Sequence, residues 1–206
     1  MTLIRYKLGE LIEQPNQFGA RGLASKDVRG VSIKKEFTAT KANLDGVDTS
    51  GYNYVDSGWF AFNPNTARMG EKICVALNHQ GPCIVSKIYP VFFINRPDIL
   101  IPEYLEMFFN RAEFDRYARF NSWGSARETF NWEDMCDIEI DLPSIEIQKK
   151  YVDIYNAMIV NQACYERGLE DLKMTCDAYI ENLRREIGVE QIAQHKIGRA
   201  SCRERV

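Results

Sequence analysis

The chain has 206 residues, 45% of them hydrophobic and 27% charged, with a formal net charge of −3, which is enough apolar material for one true core plus a satellite element and lies well outside the disordered range. No uncharged apolar run approaches the roughly 18–20 residues that a membrane span needs, and "MTLIRYKLGE" puts Arg5 and Lys7 where a signal peptide keeps its apolar stretch, so neither a membrane span nor a signal peptide is expected and a cytoplasmic location is. The cysteines (Cys74, Cys83, Cys136, Cys164, Cys176, Cys202) show no CxxC spacing and have only His79 and His195 to help them, so buried thiols are expected rather than a metal site.

In chain order, residues 4–13 read as a short strand or helix entry. A turn-rich segment, "QPNQFGARG", follows, and then an alternating run with Val31 and Ile33, and Phe37 and Ala39 beyond, that suits a strand pair. The net acidity hides a local excess of base here: Arg21, Lys26, Arg29, Lys34, Lys35 and Lys41 stand against Asp27 and Glu36. From charge alone a solvated, charged loop is the better reading. "SGWFAFNPNTARMGEKICVAL" gives strand, Asn-Pro turn, Gly turn and strand, with Trp59, Phe60 and Phe62 as core bulk, and "CIVSKIYPVFFI" adds two short strands. Pro102 opens a helix whose apolar face is Leu105, Phe108, Phe109 and Ala112. "CDIEIDLP" alternates Ile138, Ile140 and Leu142 as a last strand. The fold class is α+β, a mixed, sheet-rich domain followed by a long helix that forms a coiled coil.

That helix opens in "LPSIEIQKKYVDIYNAMIV", with Ser144 as cap, Glu146 at the positive end of the dipole and Gly188 as the first stop. Its apolar seam runs through Tyr151, Ile154, Met158, Asn161, Tyr165, Leu169, Leu172, Cys176, Tyr179, Leu183 and Ile187, a heptad pattern with one stutter between Tyr165 and Leu169. At 1.5 Å per residue such a helix is about 60 Å long. A narrow seam with polar flanks calls for a helical partner, and Asn161 would fix its register; the alternative is a helix folded back on its own domain.

Catalytic signatures are missing from the sequence. It has no Gly-rich phosphate loop, no DPPY-like methyltransferase motif and no clustered acids of a metal-dependent nuclease. Glu139 and Asp141 alternate with Ile138 and Ile140, which makes them a solvated strand face, as Asp134 and Asp137 are solvated acids rather than a catalytic pair. His79 in "ALNHQGP" reads as a turn residue, with contact of Asn78, His79 and Gln80 to bases or phosphates as the alternative.

"YKLGELI", "SGWFAFNP", "MGEKICVA", "VSKIYPVFFI", "IPEYLEMFF" and "SWGSARETFNWEDMCDIEIDLPSIEIQKKYVDIY", in this order and with the helix after them, resemble one target-recognition domain and spacer helix of the specificity subunit of type I restriction-modification systems. The most specific piece is "LPSIEIQKKYV", similar to the family's junction between recognition domain and helix; the next is "SxGSxR" at Ser122–Arg127. The resemblance implies a non-catalytic, sequence-specific DNA-binding subunit that directs methyltransferase and restriction subunits to a bipartite target on double-stranded DNA. S-adenosylmethionine, Mg and ATP are then expected only on those partner subunits, and this chain is expected to carry no cofactor and no metal. Residues 1–143 correspond to the recognition domain and 144–190 to the spacer and dimerisation helix. One domain is present where the family has two in opposite orientation, so this is a fragment or a half-subunit that pairs with a copy of itself.

The DNA-facing candidates are Arg21, Lys26, Lys34, Lys35, Thr38 and Lys41 in the Gly-containing basic segment, suited to tracking phosphates, with Asn78 and, in "NSWGSARETFNW", Ser122, Ser125 and Arg127. Arg127 either contacts a guanine edge or a phosphate, or forms an internal salt bridge to Glu128 or Asp134; Trp123 and Trp132 are expected in the core. For pairing, the candidates are Tyr151, Ile154, Met158, Tyr165, Leu169, Leu172, Tyr179, Leu183 and Ile187, giving a homodimer if only one recognition domain is present. A non-catalytic coiled-coil adaptor whose globular domain binds protein is the alternative. The last residues, "KIGRASCRERV" (196–206), resemble the translation of a sequencing adapter, so they are expected to be non-native, and the natural chain is expected to continue beyond His195.

Overall fold

The computed structural model describes residues 2–16, 19–40, 42–44, 46–66, 72–123 and 128–188. The chain divides into two units, one ending at Ile154 and one beginning at Tyr155. No helix among the described residues is long and apolar enough to cross a membrane.

In the first unit, the alternation read at 138–142 becomes strand β10 (Glu139–Leu142), which pairs antiparallel with β1 (Ile4–Lys7) in the register Ile4↔Leu142 and Tyr6↔Ile140. The period of two sends Ile140 and Leu142 into the core and leaves Glu139 and Asp141 on the outer face. There Arg5 bonds both oxygens of Asp141 (2.9 and 3.0 Å) and approaches Glu139 at 3.4 Å. These acids form the solvated strand face expected of them, and there they pair with an arginine of the neighbouring strand. Behind β1 the chain makes a turn at Leu8–Glu10, where Gly9 is obligatory because a Cβ there would stand 2.8 Å from the Cβ of Cys136.

The central sheet has the order β2 (Ile12–Glu13), β9 (Val91–Ile94), β6 (Phe60–Phe62), β7 (Val75–Leu77), all antiparallel. β6 and β7 are buried on both faces, which explains their unbroken apolar runs. Phe60, Phe62 and Phe92 meet Phe109, Phe114 and Phe130 in one aromatic core, with Phe60 and Phe92 stacked at 5.0 Å and the rings of Phe109 and Phe114 tilted at 49° with centroids 4.7 Å apart. Trp132 packs against this core as expected, whereas Trp123 is 65% exposed.

The helix beginning at Pro102 ends sooner than its apolar face suggests. α1 is Pro102–Phe109, Asn110 closes it, Arg111 is extended, and α2 (Ala112–Phe120) restarts with Phe114 turned back onto Phe109. A one-turn helix α3 (Trp132–Cys136) precedes β10. Two smaller antiparallel pairs complete the unit: hairpin β3 (Arg29–Val31)–β4 (Phe37–Ala39) and β5 (Asn53–Val55)–β8 (Cys83–Val85).

Helix α4 runs Ile145–Glu186, and Gly188 with φ +70° follows it as the expected stop. Its first turns belong to the first unit: Gln148 is wholly buried, its Nε2 donates to the carbonyls of Ile99 (2.7 Å) and Pro143 (2.9 Å), and its Oε1 accepts the Ile101 amide (3.2 Å). In the second unit the seam side chains are exposed, Tyr165 by 81% and Leu169 by 57%. Cys74 and Cys83 are buried, but Cys164 and Cys176 are exposed on α4, which corrects the expectation of buried thiols for those two: the helix that carries them has no covering layer on that face.

Candidate nucleic-acid interface

The basic segment, expected as a flexible loop, is instead a series of tight turns mounted on β5–β8. Gly19 bridges to Asn53 of β5 and Val28 bridges to Ile84 of β8, while Tyr54 and Ile84 are cross-strand partners. Between Gly19 (φ +117°) and Gly22 (φ +84°), Arg21 itself takes φ +47°, a left-handed conformation that costs a non-glycine residue about 1–2 kcal/mol. The strain goes with a defined placement: the guanidinium lies 4.5 Å from the centroid of the Tyr54 ring and 6.0 Å from that of Trp59, which stacks on Phe93 at 5.1 Å. Stacking leaves the planar edge of the guanidinium free to donate, the geometry that suits phosphate or a guanine edge. Tyr54 and Trp59 carry no sequence signal for this role; it follows from the pairing of β5.

Lys26 is exposed in a short turn at Ser25–Asp27, and its carbonyl accepts a bond from Arg29 (2.9 Å). On the hairpin, Lys34 and Thr38 are exposed as expected. Lys35 is not. At φ +62° the backbone reverses its side chain, which is 6% exposed and pairs with Asp115 at 2.7 Å, donates to the carbonyl of Phe109 and lies over the ring of Phe114. Burial pulls its pKa below the usual lysine value, against the pull of Asp115. An ammonium held this way cannot neutralise a phosphate, so Lys35 leaves the candidate site; it ties the hairpin tip to α2.

Asn78 is a second correction. It is 1% exposed, its Nδ2 donates to the carbonyls of Asp56 (3.0 Å) and Gly81 (3.2 Å), and its Oδ1 accepts the Gln80 amide (3.0 Å). It shapes the turn that presents its neighbours. Gln80 is exposed and, with Arg29 and Phe37, lines a shallow pocket of about 190 Å³ beside the hairpin. Cys83 also lines it, and burial pushes that thiol up to about 11, so it stays protonated at neutral pH and is no nucleophile. His79 pairs with Glu106 at 2.8 Å, and burial raises the Glu106 carboxyl above its usual value.

Ser122 spends its hydroxyl on the carbonyl of Ala118 (2.6 Å) at the end of α2. Lys41, Ser125 and Arg127 lie outside the described residues. The flanks of the latter two are paired: Trp123 and Thr129 exchange two backbone bonds of 3.0 Å, and Thr66 donates to the carbonyl of Glu128 (3.1 Å). Of the candidates, Arg21, Lys26, Lys34 and Thr38 stay exposed on the turns and hairpin attached to β5–β8, and Arg29 and Gln80 line one pocket beside that hairpin. Among the described residues no group of His, Cys, Asp and Glu is placed to hold a metal ion.

No family model matches the sequence, and no curated protein matches it. Among solved structures, the HsdS subunit from Thermoanaerobacter tengcongensis superposes with a TM-score of 0.56 at 17% identity, over 89% of this chain and 48% of that one. A chain from a structure of a type I R-M system, described for its complex assembly and conformational transition, gives 0.49 at 12% identity, over 90% and 44%. The α+β domain with its long C-terminal helix is thus the fold of the HsdS subunit, and this chain spans about half the length of either neighbour.

Proposed function

We propose that the chain is a target-recognition module with spacer helix of a type I restriction-modification specificity subunit, a non-catalytic cytoplasmic protein that binds double-stranded DNA and directs methyltransferase and restriction subunits to a bipartite target. The observation that carries this reading is the junction. The run "LPSIEIQ", the most specific piece of the resemblance, is the segment in which Gln148 satisfies Ile99, Ile101 and Pro143 and fixes the start of α4 on the domain. A buried amide with all its bonds made inside the protein sets a helix direction, and a specificity subunit needs that direction to place a half-site. Residues 1–143 supply the recognition surface in this reading and 144–190 the spacer; a second copy supplies the pairing helix, and S-adenosylmethionine, Mg and ATP belong to the partner subunits.

Arg21, Lys26 and Lys34 act on phosphates, which position the protein, while Thr38, Arg29 and Gln80 stand nearest to reading base edges. Titration of the chain with a mixed-sequence duplex at about 50 and 200 mM salt tests this, since each neutralised phosphate contributes about 0.9 to the salt slope. Lys26→Glu with Lys34→Glu is expected to weaken all sequences alike and to lower the slope by about 2. If the intact chain shows no salt-dependent affinity for DNA, the recognition reading fails and the protein-binding adaptor takes its place.

A further inference from the structure

Helix α2 and the turn after it carry an exposed stripe. Arg116, Arg119, Phe120 and Trp123 follow one another at i, i+3, i+4 and i+7, the spacing that gathers side chains on one helix face. All four are exposed, Phe120 by 81%. The backbone beneath them is held: the Ser122 amide donates to the carbonyl of Arg119 (3.2 Å), its hydroxyl donates to that of Ala118 (2.6 Å), and Trp123 is fixed by its paired backbone bonds to Thr129. A single aromatic ring in water is ordinary. Two rings beside two arginines have the composition of a binding surface.

The charge around the stripe indicates what it binds. Lys35 pairs with Asp115 of α2 at 2.7 Å, and the Ile73 amide donates to the same carboxylate at 3.2 Å. Through that one buried group the hairpin tip with exposed Lys34, the approach to β7 with exposed Lys72, and α2 are drawn together. Arg111 and Arg119 stand one helical turn before and after Asp115, and Arg116 follows it. The acid among them is Glu113, which Arg111 and Arg116 each approach at 3.5 Å. This surface is therefore basic in a chain whose net charge is −3. Toward α1 the hairpin meets the opposite sign, since Glu36 lies close enough to Glu103 and Glu106 to raise the Glu106 carboxyl with them. A polyanion that reaches the tip is accordingly favoured on α2 and repelled from α1.

Resting on the recognition reading above, we propose that the duplex held at Lys34 runs on across α2, where Arg116 and Arg119 take phosphates and Phe120 and Trp123 press against sugars and the edge of a base step. The guanidinium groups neutralise the backbone while the rings cover its apolar faces. The surface joins two stretches far apart in sequence, the basic segment of Arg21–Lys41 and the "SxGSxR" stretch that begins at Ser122.

Anisotropy of a labelled mixed-sequence duplex, titrated with the full chain at about 50 and 200 mM salt, reads the two halves of the stripe separately. Arg116→Gln with Arg119→Gln is expected to lower the salt slope by about 2. Phe120→Ala with Trp123→Ala is expected to weaken binding about tenfold at both salt concentrations and to leave the slope unchanged, because no charge is removed. Duplex binding is also expected to quench tryptophan emission in the parent chain, and Trp123→Phe to abolish most of that quench. Neither aromatic residue belongs to the core, so that pair carries the test even where the arginine pair lowers the urea midpoint. If both pairs bind the duplex as the parent does while Lys26→Glu with Lys34→Glu loses its slope, the proposal is overturned, the recognition reading stands, and the stripe faces a protein instead. A loss confined to the arginine pair overturns the placement of the rings, and one confined to the aromatic pair overturns the placement of the phosphates. An intact chain with no salt-dependent affinity for DNA overturns the proposal and the recognition reading together.

Discussion

Lys34 and Lys35 are adjacent in sequence and opposite in consequence, because one left-handed residue at the hairpin tip divides them. Removing Lys35 as Lys35→Met leaves the Asp115 carboxylate buried, bonded only by the Ile73 amide (3.2 Å) among its described partners. Breaking a buried pair on one side costs about 3–5 kcal/mol, and urea unfolding of the variant is expected to show a loss of that size. Lys34→Glu, on an exposed side chain, is expected to leave stability within about 0.5 kcal/mol and to act only on DNA affinity. Arg21 allows a cleaner separation. Arg21→Gly relieves the positive φ, worth about 1–2 kcal/mol, and adds a comparable chain-entropy cost, so thermal stability is expected to change little while affinity for duplex DNA falls. A large drop in melting temperature would instead make the stack on Tyr54 a structural device.

At the scale of elements, the decisive feature is the start of α4. Gln148→Leu keeps the size of the side chain but leaves two carbonyls and one amide without their partner. With each unsatisfied buried group costing about 1–3 kcal/mol and some recovered by water, a loss of about 2–5 kcal/mol in urea unfolding is expected. Glu146, in the first turn of the same helix, contributes through charge. Its bond with Ser144, then its backbone bond at the helix start, hold its carboxyl below the usual 4.5. For an acid whose folded pKa is depressed, the native state binds fewer protons than the unfolded one. Its stabilisation is therefore complete above the unfolded value and lost as pH falls through the depressed one. The stability difference between the wild-type chain and Glu146→Gln is accordingly expected at neutral pH and lost in acid, once pH has fallen through the depressed value; a difference that persists in acid would assign it to the amide rather than the charge.

For the whole molecule, the second unit exposes Leu169, Leu172, Leu183 and Ile187 on one helix, a larger apolar stripe than a monomeric protein usually leaves in water. Each such side chain contributes roughly 1.5–3 kcal/mol when fully buried, so two aspartates in the stripe are enough to undo an association. Leu172→Asp with Leu183→Asp is expected to yield monomers by light scattering at tens of micromolar (about 10–50 µM), where a pair held by four or more such contacts stays associated. Far-UV and near-UV circular dichroism should show the first unit still folded, because neither position belongs to its core. On a duplex with two half-sites, the variant should bind each site independently, with the avidity of a linked pair gone.

The sequence by itself determined the elements whose signal is local. β10 followed from alternation, α1 began at Pro102, β6 to β9 followed from apolar runs broken by turn residues, and α4 ran from the LPS junction to Gly188, because periodicity and cap chemistry are properties of neighbouring residues. Tertiary structure alone decided which side chains the candidate site keeps. Lys34 and Lys35 carry the same charge and the same local signal, and only the distant Asp115 and the carbonyl of Phe109 separate a solvent-facing cation from a buried strut. Asn78 looked like a polar group in a turn until Asp56 and Gly81 took up its amide. The place of Arg21 depended on β5 bringing Tyr54 beneath it. Charge and hydrogen-bonding capacity are fixed by residue type, but whether water or the protein satisfies them depends on partners tens of residues away, and no local pattern records those partners.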